Sequence, residues 1–127
     1  MELSVLIVDD SAAIRGLLSK ILTTSGLPVA RIEQAGDGEE GLNQLAKGSF
    51  NLILSDINMP KMNGEEFVRH LRADARFREI PVLIITTDGS VARVHRLREL
   101  GANGYIAKPF TPDIVKNKVI AVTTPAN

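Results

Sequence analysis

Five short apolar runs separated by amphipathic stretches constrain this chain more than any other feature. The runs are LSVLIV (3–8), ARIEQA (30–35), NLILS (51–55), PVLIITT (81–87) and GYIAK (104–108). Several are continuous and rich in Val, Ile and Leu, as strands buried on both faces of a parallel sheet should be. ARIEQA alternates instead, which suits an edge strand. Between the runs the period changes. Ile14, Leu17, Leu18, Ile21 and Leu22 follow the spacing of one apolar helix stripe, with Ser11 as a cap and Gly26 past the end. Asn63 with Glu66 three residues on resembles a capping box ahead of Phe67, Val68 and Leu71. Val94, Leu97 and Leu100 mark a further helix stopped by Gly101, and Thr111-Pro112 opens the last one. Strands alternating with helices, joined by right-handed crossovers, give an α/β fold: a doubly wound parallel sheet in a three-layer sandwich.

The 127 residues suit one domain over 1–127, with a core from about residue 3 to 122 and a fraying TTPAN tail at 123–127. Apolar residues make up 44% and charged residues 24%, and the formal net charge is zero, so no global field favours nucleic acid or a membrane surface. Cysteine is absent, which removes disulfides and thiolate metal sites and fits a reducing compartment. No run approaches the roughly 18 apolar residues of a membrane span, and MELSVLIVDD lacks the basic start of a signal peptide. The expectation is a cytoplasmic protein without membrane insertion.

In such a sheet, ligands bind beyond the carboxyl ends of the strands. The polar residues that interrupt the apolar runs all fall there. Asp9 and Asp10 close the first strand, Asp56 the third, Thr86 and Thr87 the fourth, and Lys108 the fifth. Two readings of the adjacent acids stand at this point. They cap the first helix, since acids favour helix N-termini, or they join Asp56 in a cluster that needs a cation. Oxygen ligands without Cys or flanking His favour Mg²⁺ over Zn²⁺. Lys108 and Thr86 then offer a point charge and a hydroxyl to a phosphoryl group, and a carboxylate can itself attack phosphorus. Positioning and charge neutralisation are most of what phosphoryl transfer requires.

LIVDDS, LILSDINMPKMNG, LIITT and GYIAKPF, in that order and spacing, resemble the signature segments of the receiver domain of bacterial two-component response regulators. The resemblance covers residue 3 to about residue 122, and it is nearest to the chemotaxis type because no output domain follows. It implies strand order 2-1-3-4-5 with five helices, a flavodoxin-like arrangement. It implies Asp56 as phosphoacceptor, Mg²⁺ held by Asp10, Asp56 and the Asn58 carbonyl with Asp9 acting through water, and Lys108 on the phosphoryl group. It further implies a cis bond before Pro109, a switch made of Thr86 and Tyr105, and lifetime tuning by Asn58, Thr87 and Asp88. Thr87 departs from the alanine common there, and its branched side chain is expected to crowd the acyl phosphate. The function implied is a phosphorylation-activated signalling switch, a phosphoryl acceptor rather than a turnover enzyme. Its partners are a sensor histidine kinase or phosphotransfer protein and a downstream target.

Several bland readings compete. Met59, Met62 and Phe110 suit packing, and His70 and His95 lie in helical segments without ligand-like spacing. Residues 69–98 hold seven arginines and three acids, an ordinary solvated face or a docking surface for an acidic partner built on Arg93 and Arg96. Val115, Val119 and Val122 share a stripe that leaves Ile120 pointing outward, a lone exposed residue or an apolar contact for a target or a dimer. A monomer is expected at rest, with dimerisation on phosphorylation as the variant. An unphosphorylated pseudo-receiver scaffold, or a receiver cut from a longer regulator, remains as the alternative. SDINMP lacks the second acid common in aspartyl phosphohydrolases, and DDSAAIR is unlike the phosphate loop of a flavin-binding module.

Overall fold

Parallel pairing turns the five runs into one sheet. In the computed structural model, which describes residues 2–124, the elements are β1 (Leu3–Val8), α1 (Ala12–Thr24), β2 (Val29–Ala35), α2 (Gly38–Lys47) and β3 (Leu52–Asp56), followed by α3 (Gly64–Ala73), β4 (Val82–Thr86), α4 (Val91–Leu100), β5 (Gly104–Ala107) and α5 (Pro112–Thr123). The strand order is β2-β1-β3-β4-β5 and every pair is parallel, which puts ARIEQA at an edge as its alternation requires.

Period-two alternation sorts the buried side chains into two cores, one on each side of the sheet. Leu3, Val5 and Ile7 pack with Leu54, Ile85 and Ile106 against α1 and α5 through Leu18, Leu22, Val115 and Val119. Leu6, Val8, Ile53 and Ile84 face the other way, against α2, α3 and α4 through Leu45, Phe67, Leu71 and Leu97. Met59 and Met62 pack beside this second core and Phe110 beside the first. Phe67 is fully buried, and α2 passes close over it because position 41 is glycine: a Cβ there would come within 3.1 Å of the ring.

The helix ends follow their side chains. Ser11 Oγ accepts from Ile14 N at 3.3 Å. Asn63 and Glu66 form a reciprocal capping box, with Glu66 N donating to Asn63 Oδ1 at 2.9 Å. Gly101 closes α4 at φ 110°, a left-handed turn that glycine adopts without strain. Thr111 caps α5 with Pro112 in its first turn.

Four details differ from the sequence reading. Leu17, assigned to the apolar stripe of α1, is 47% exposed, because α1 packs against the core along Ile14, Leu18, Ile21 and Leu22. β4 ends at Thr86, so Thr87 lies beyond it and is exposed: the Asp88 amide donates to Thr86 Oγ1 at 3.0 Å and turns the chain out of the ladder. Lys108 likewise follows β5 rather than closing it, its amide making a last bond to Thr86 O at 2.8 Å. The helix also runs past residue 122: Thr123 ends α5 and the Thr124 amide bonds to Ile120 O, while 125–127 lie outside the described residues. No helix among the described residues is long and apolar enough to cross a membrane.

Phe67→Ala is expected to remove about 3–5 kcal/mol of unfolding free energy, a large share of the roughly 5–15 kcal/mol typical of a domain. Urea unfolding checks it. A loss under about 1 kcal/mol would mean that α2 and α3 collapse onto the vacancy.

Candidate functional site

The sheet register builds the site. Val8 pairs with Ser55, so one step further along both chains Asp9 and Asp56 emerge side by side. Thr86 pairs with Ala107, so Lys108 emerges on the far side of the same rim. Asp9, Asp10 and Asp56 each bring a carboxylate oxygen within 4.8 Å of the other two. Lys108 Nζ sits 3.4 Å from Asp56 Oδ1 and 3.8 Å from Asp9 Oδ2. Two of the three carboxylates thus share one ammonium.

Their environments differ. Asp10 is exposed, whereas Asp9 is 1% and Asp56 is 7% exposed. Asp56 Oδ1 accepts from the Ile57 amide at 2.9 Å, and Asp9 Oδ1 from the Ser11 amide at 2.9 Å. Asp9 Oδ2 is buried without a hydrogen-bond partner, a costly state for an anion. Burial above all pushes the Asp9 carboxyl up from its ordinary value; the Ser11 amide opposes this, the Asp56 charge adds to it, Lys108 opposes and Asp10 adds again. A buried carboxylate oxygen without a hydrogen-bond partner, beside two further carboxylates, has the chemistry of an all-oxygen cation seat. The donor set fits a hard divalent ion that keeps several waters.

The other residues singled out from sequence lie around this cluster. Asn58 is exposed two residues past Asp56. The Thr86 hydroxyl is occupied by Asp88, accepting from its amide and lying 3.3 Å from its carbonyl oxygen. Asp88 in turn accepts from the Ser90 amide at 3.0 Å, which with the Ser90 side chain and Arg93 holds its carboxyl below the ordinary range. Tyr105 is half-buried, with Lys118 Nζ 4.5 Å from its ring centre. The Lys108–Pro109 bond is cis. His70 and His95 are exposed, and His95 reaches Glu99 one turn on.

Arg93 and Arg96 are not free cations. Arg93 Nη1 bonds Glu65 Oε2 at 3.0 Å and its Nε lies 3.7 Å from Asp88 Oδ2, while Arg96 Nη2 lies 3.5 Å from Glu65 Oε1. Much of their charge is answered within the chain, which reduces what they offer to an acidic partner. Ile120 is 42% exposed, as its place opposite the valine stripe requires.

Three contributors escaped the sequence reading. Arg15 donates to the Asp9 carbonyl at 2.6 Å and to Gln34 Oε1 at 3.1 Å, tying α1 and β2 to the acid pair. Gly64 brings α3 against the end of β3: a Cβ there would lie 2.5 Å from Asp56 O. Glu65 lies in the first turn of α3 and pairs with Arg93. None of these carries a local pattern.

With this geometry in view, the class follows. A family model for the response regulator receiver domain matches residues 5–120, and the chain belongs to that family. Within it the chain is similar to CheY chemotaxis proteins. It is 39% identical over 121 residues to the chemotaxis protein CheY1 of Helicobacter pylori, covering 94% of this chain and 96% of that one. It is likewise similar to the solved chemotaxis response regulator CheY4 of Vibrio cholerae, with a TM-score of 0.87 and 36% identity over 96% of this chain and 99% of that one. A solved Mn²⁺-bound form of response regulator Rcp1 shares 27% identity at a TM-score of 0.78, over 98% and 97% of the two chains.

Asp9→Asn is expected to stabilise the metal-free protein by about 1 kcal/mol, since it removes one of three crowded charges. Urea midpoints without divalent cation test this. A lower midpoint for the variant would show that attraction to Lys108 outweighs the crowding.

Proposed function

We propose that this receiver accepts a phosphoryl group on Asp56 from a phosphohistidine of a sensor histidine kinase or phosphotransfer protein, and that the phosphorylated form binds a downstream target. The observation that carries the reading is the cluster of three carboxylates beside Lys108 at the strand ends, with Asp9 Oδ2 lacking a hydrogen-bond partner. The reading treats 1–127 as a single receiver unit working in the cytoplasm.

An Asp56 carboxylate oxygen attacks phosphorus as the phosphorus–nitrogen bond to the donor histidine breaks. The electron pair stays on the imidazole nitrogen, and the product is an aspartyl phosphate. Asp9, Asp10, Asp56 and the Asn58 carbonyl would hold Mg²⁺, which when bound supplies the positive charge that three carboxylates and a phosphoryl group require. Lys108 answers negative charge on the phosphoryl oxygens from the opposite side. The Ile57 amide, bonded to Asp56 Oδ1, fixes the rotation of the carboxylate and leaves its other oxygen to react. Asn58, Thr87 and Asp88 flank the phosphoryl position and tune how readily water reaches it.

Once phosphate is present, the Thr86 hydroxyl exchanges Asp88 for a phosphoryl oxygen, and the β4–α4 turn follows. Tyr105 lies behind that turn: a Cβ on Gly89 would sit 3.5 Å from its ring. The altered turn and ring change the face formed by α4, β5 and α5, where Val91 is 87% exposed beside Arg93, Arg96 and Ile120. A two-state surface biased by a local charge is sufficient for signalling.

Intact mass after brief incubation with acetyl phosphate and Mg²⁺ tests the proposal. One added phosphoryl group is expected, lost in Asp56→Asn and on chelation. An adduct that survives Asp56→Asn, or none with beryllofluoride as the phosphoryl mimic either, would overturn it.

A further inference from the structure

Two loops flank the acid cluster, and one ion-pair network joins them. The loop after β3 leads through Gly64, whose amide bonds Ile57 O at 2.8 Å, directly into Glu65. β4 ends on Thr86, whose hydroxyl is held by Asp88 in the loop that follows, and Asp88 is held in turn by the Ser90 amide and Arg93. Arg93 reaches across to Glu65 at 3.0 Å, with both side chains mostly buried, and Arg96 braces the same carboxylate. The result is a closed circuit: Asp56 to Gly64 by backbone packing, Glu65 to Arg93 to Asp88 by charge, Asp88 to Thr86 by hydrogen bonds, and Ile85 to Asp56 by the sheet.

We infer that Glu65 and Arg93 form a resting-state latch that holds the Asp88 turn, and through it the Thr86 hydroxyl, away from Asp56. They are positioning residues, neither touching the reacting atoms. The inference rests on the phosphoacceptor reading above and adds to it the contact that sets the switch's resting balance. The Asp88 backbone that holds the Thr86 hydroxyl lies in the turn that Arg93 ties to α3. The latch therefore opposes the active arrangement by whatever its ion pairs contribute. Partly exposed pairs of this kind shift an equilibrium by about two- to fivefold, a range suited to tuning a switch rather than locking it. Arg72 makes no such adjustable contact at the other end of α4: it bonds the Gly101 and Arg78 carbonyls and Asn103 Oδ1 at 2.9–3.0 Å, a fixed pivot about which the Ser90 end moves.

Beryllofluoride titration in Mg²⁺, followed by amide NMR of the wild type, Glu65→Gln, Arg93→Gln and the double variant, tests the latch. Each single variant is expected to bind the mimic about two- to fivefold more tightly, with Mg²⁺ affinity unchanged. The double variant should gain no more than either single, because both cut the same link. Equal or weaker binding in Glu65→Gln and Arg93→Gln, or fully additive gains, would overturn the latch while leaving the phosphoacceptor reading intact. Absence of any response in the wild type would instead remove the reading on which the latch rests.

Discussion

Like charge held in place by a sheet is the constraint on which the rest of this structure depends. Asp9 and Asp56 cannot move apart, because each follows directly from a buried strand whose register is fixed by its neighbours. At an effective dielectric near 20, two charges 4.8 Å apart, the outer limit for the cluster's facing oxygens, repel by roughly 3 kcal/mol. Two apolar cores, one on each face, supply the rigidity that resists this. The sheet therefore concentrates negative charge at one rim, and Lys108 offsets only part of it. A site with that imbalance responds to what neutralises it. In the proposed function a cation would relax it, and a phosphoryl group would bring new oxygens for Lys108 and Thr86 to meet.

The same rigidity explains how a local change reaches a surface. The strands do not yield, so adjustment falls to the connections beyond them. Thr86 is the last residue of β4, its hydroxyl is bonded to the turn that follows, and that turn starts α4. Tyr105 sits on the adjacent edge strand, half-buried against the turn. In the proposed function, movement at Thr86 would spread towards α4 and β5, away from the core that α1 and α5 form on the opposite face of the sheet.

Most of the fold was legible in the sequence because it depends on local pattern. The apolar runs marked the strands, Asn63 with Glu66 gave a helix start, and Gly101 a helix end. Strand-end placement then brought Asp9, Asp10, Asp56 and Lys108 to one rim, where the structure puts them. What could not be read depends on contacts between distant residues. Arg93 and Glu65 are 28 positions apart, and nothing in either helix announces that they meet. Arg15 reaches a backbone carbonyl, which leaves no trace in side-chain patterning. Leu17 fitted the helical period yet faces outward, since periodicity marks a stripe but not how wide a strip its neighbours cover. Thr87 belonged to an apolar run by composition, and only the Thr86–Asp88 hydrogen bond shows why the strand stops before it.

The central claim is that the crowded carboxylates form a seat for a divalent cation. Trace Mn²⁺ added to the ¹⁵N-labelled protein reports this most directly, because the paramagnetic ion broadens nearby amides. The account predicts that signals of residues 9–11 and 56–58 vanish first, that excess Mg²⁺ restores them, and that Asp9→Asn requires more Mn²⁺ for the same loss. Broadening spread over the exposed acids elsewhere, or broadening at the rim that Mg²⁺ fails to reverse, would contradict it.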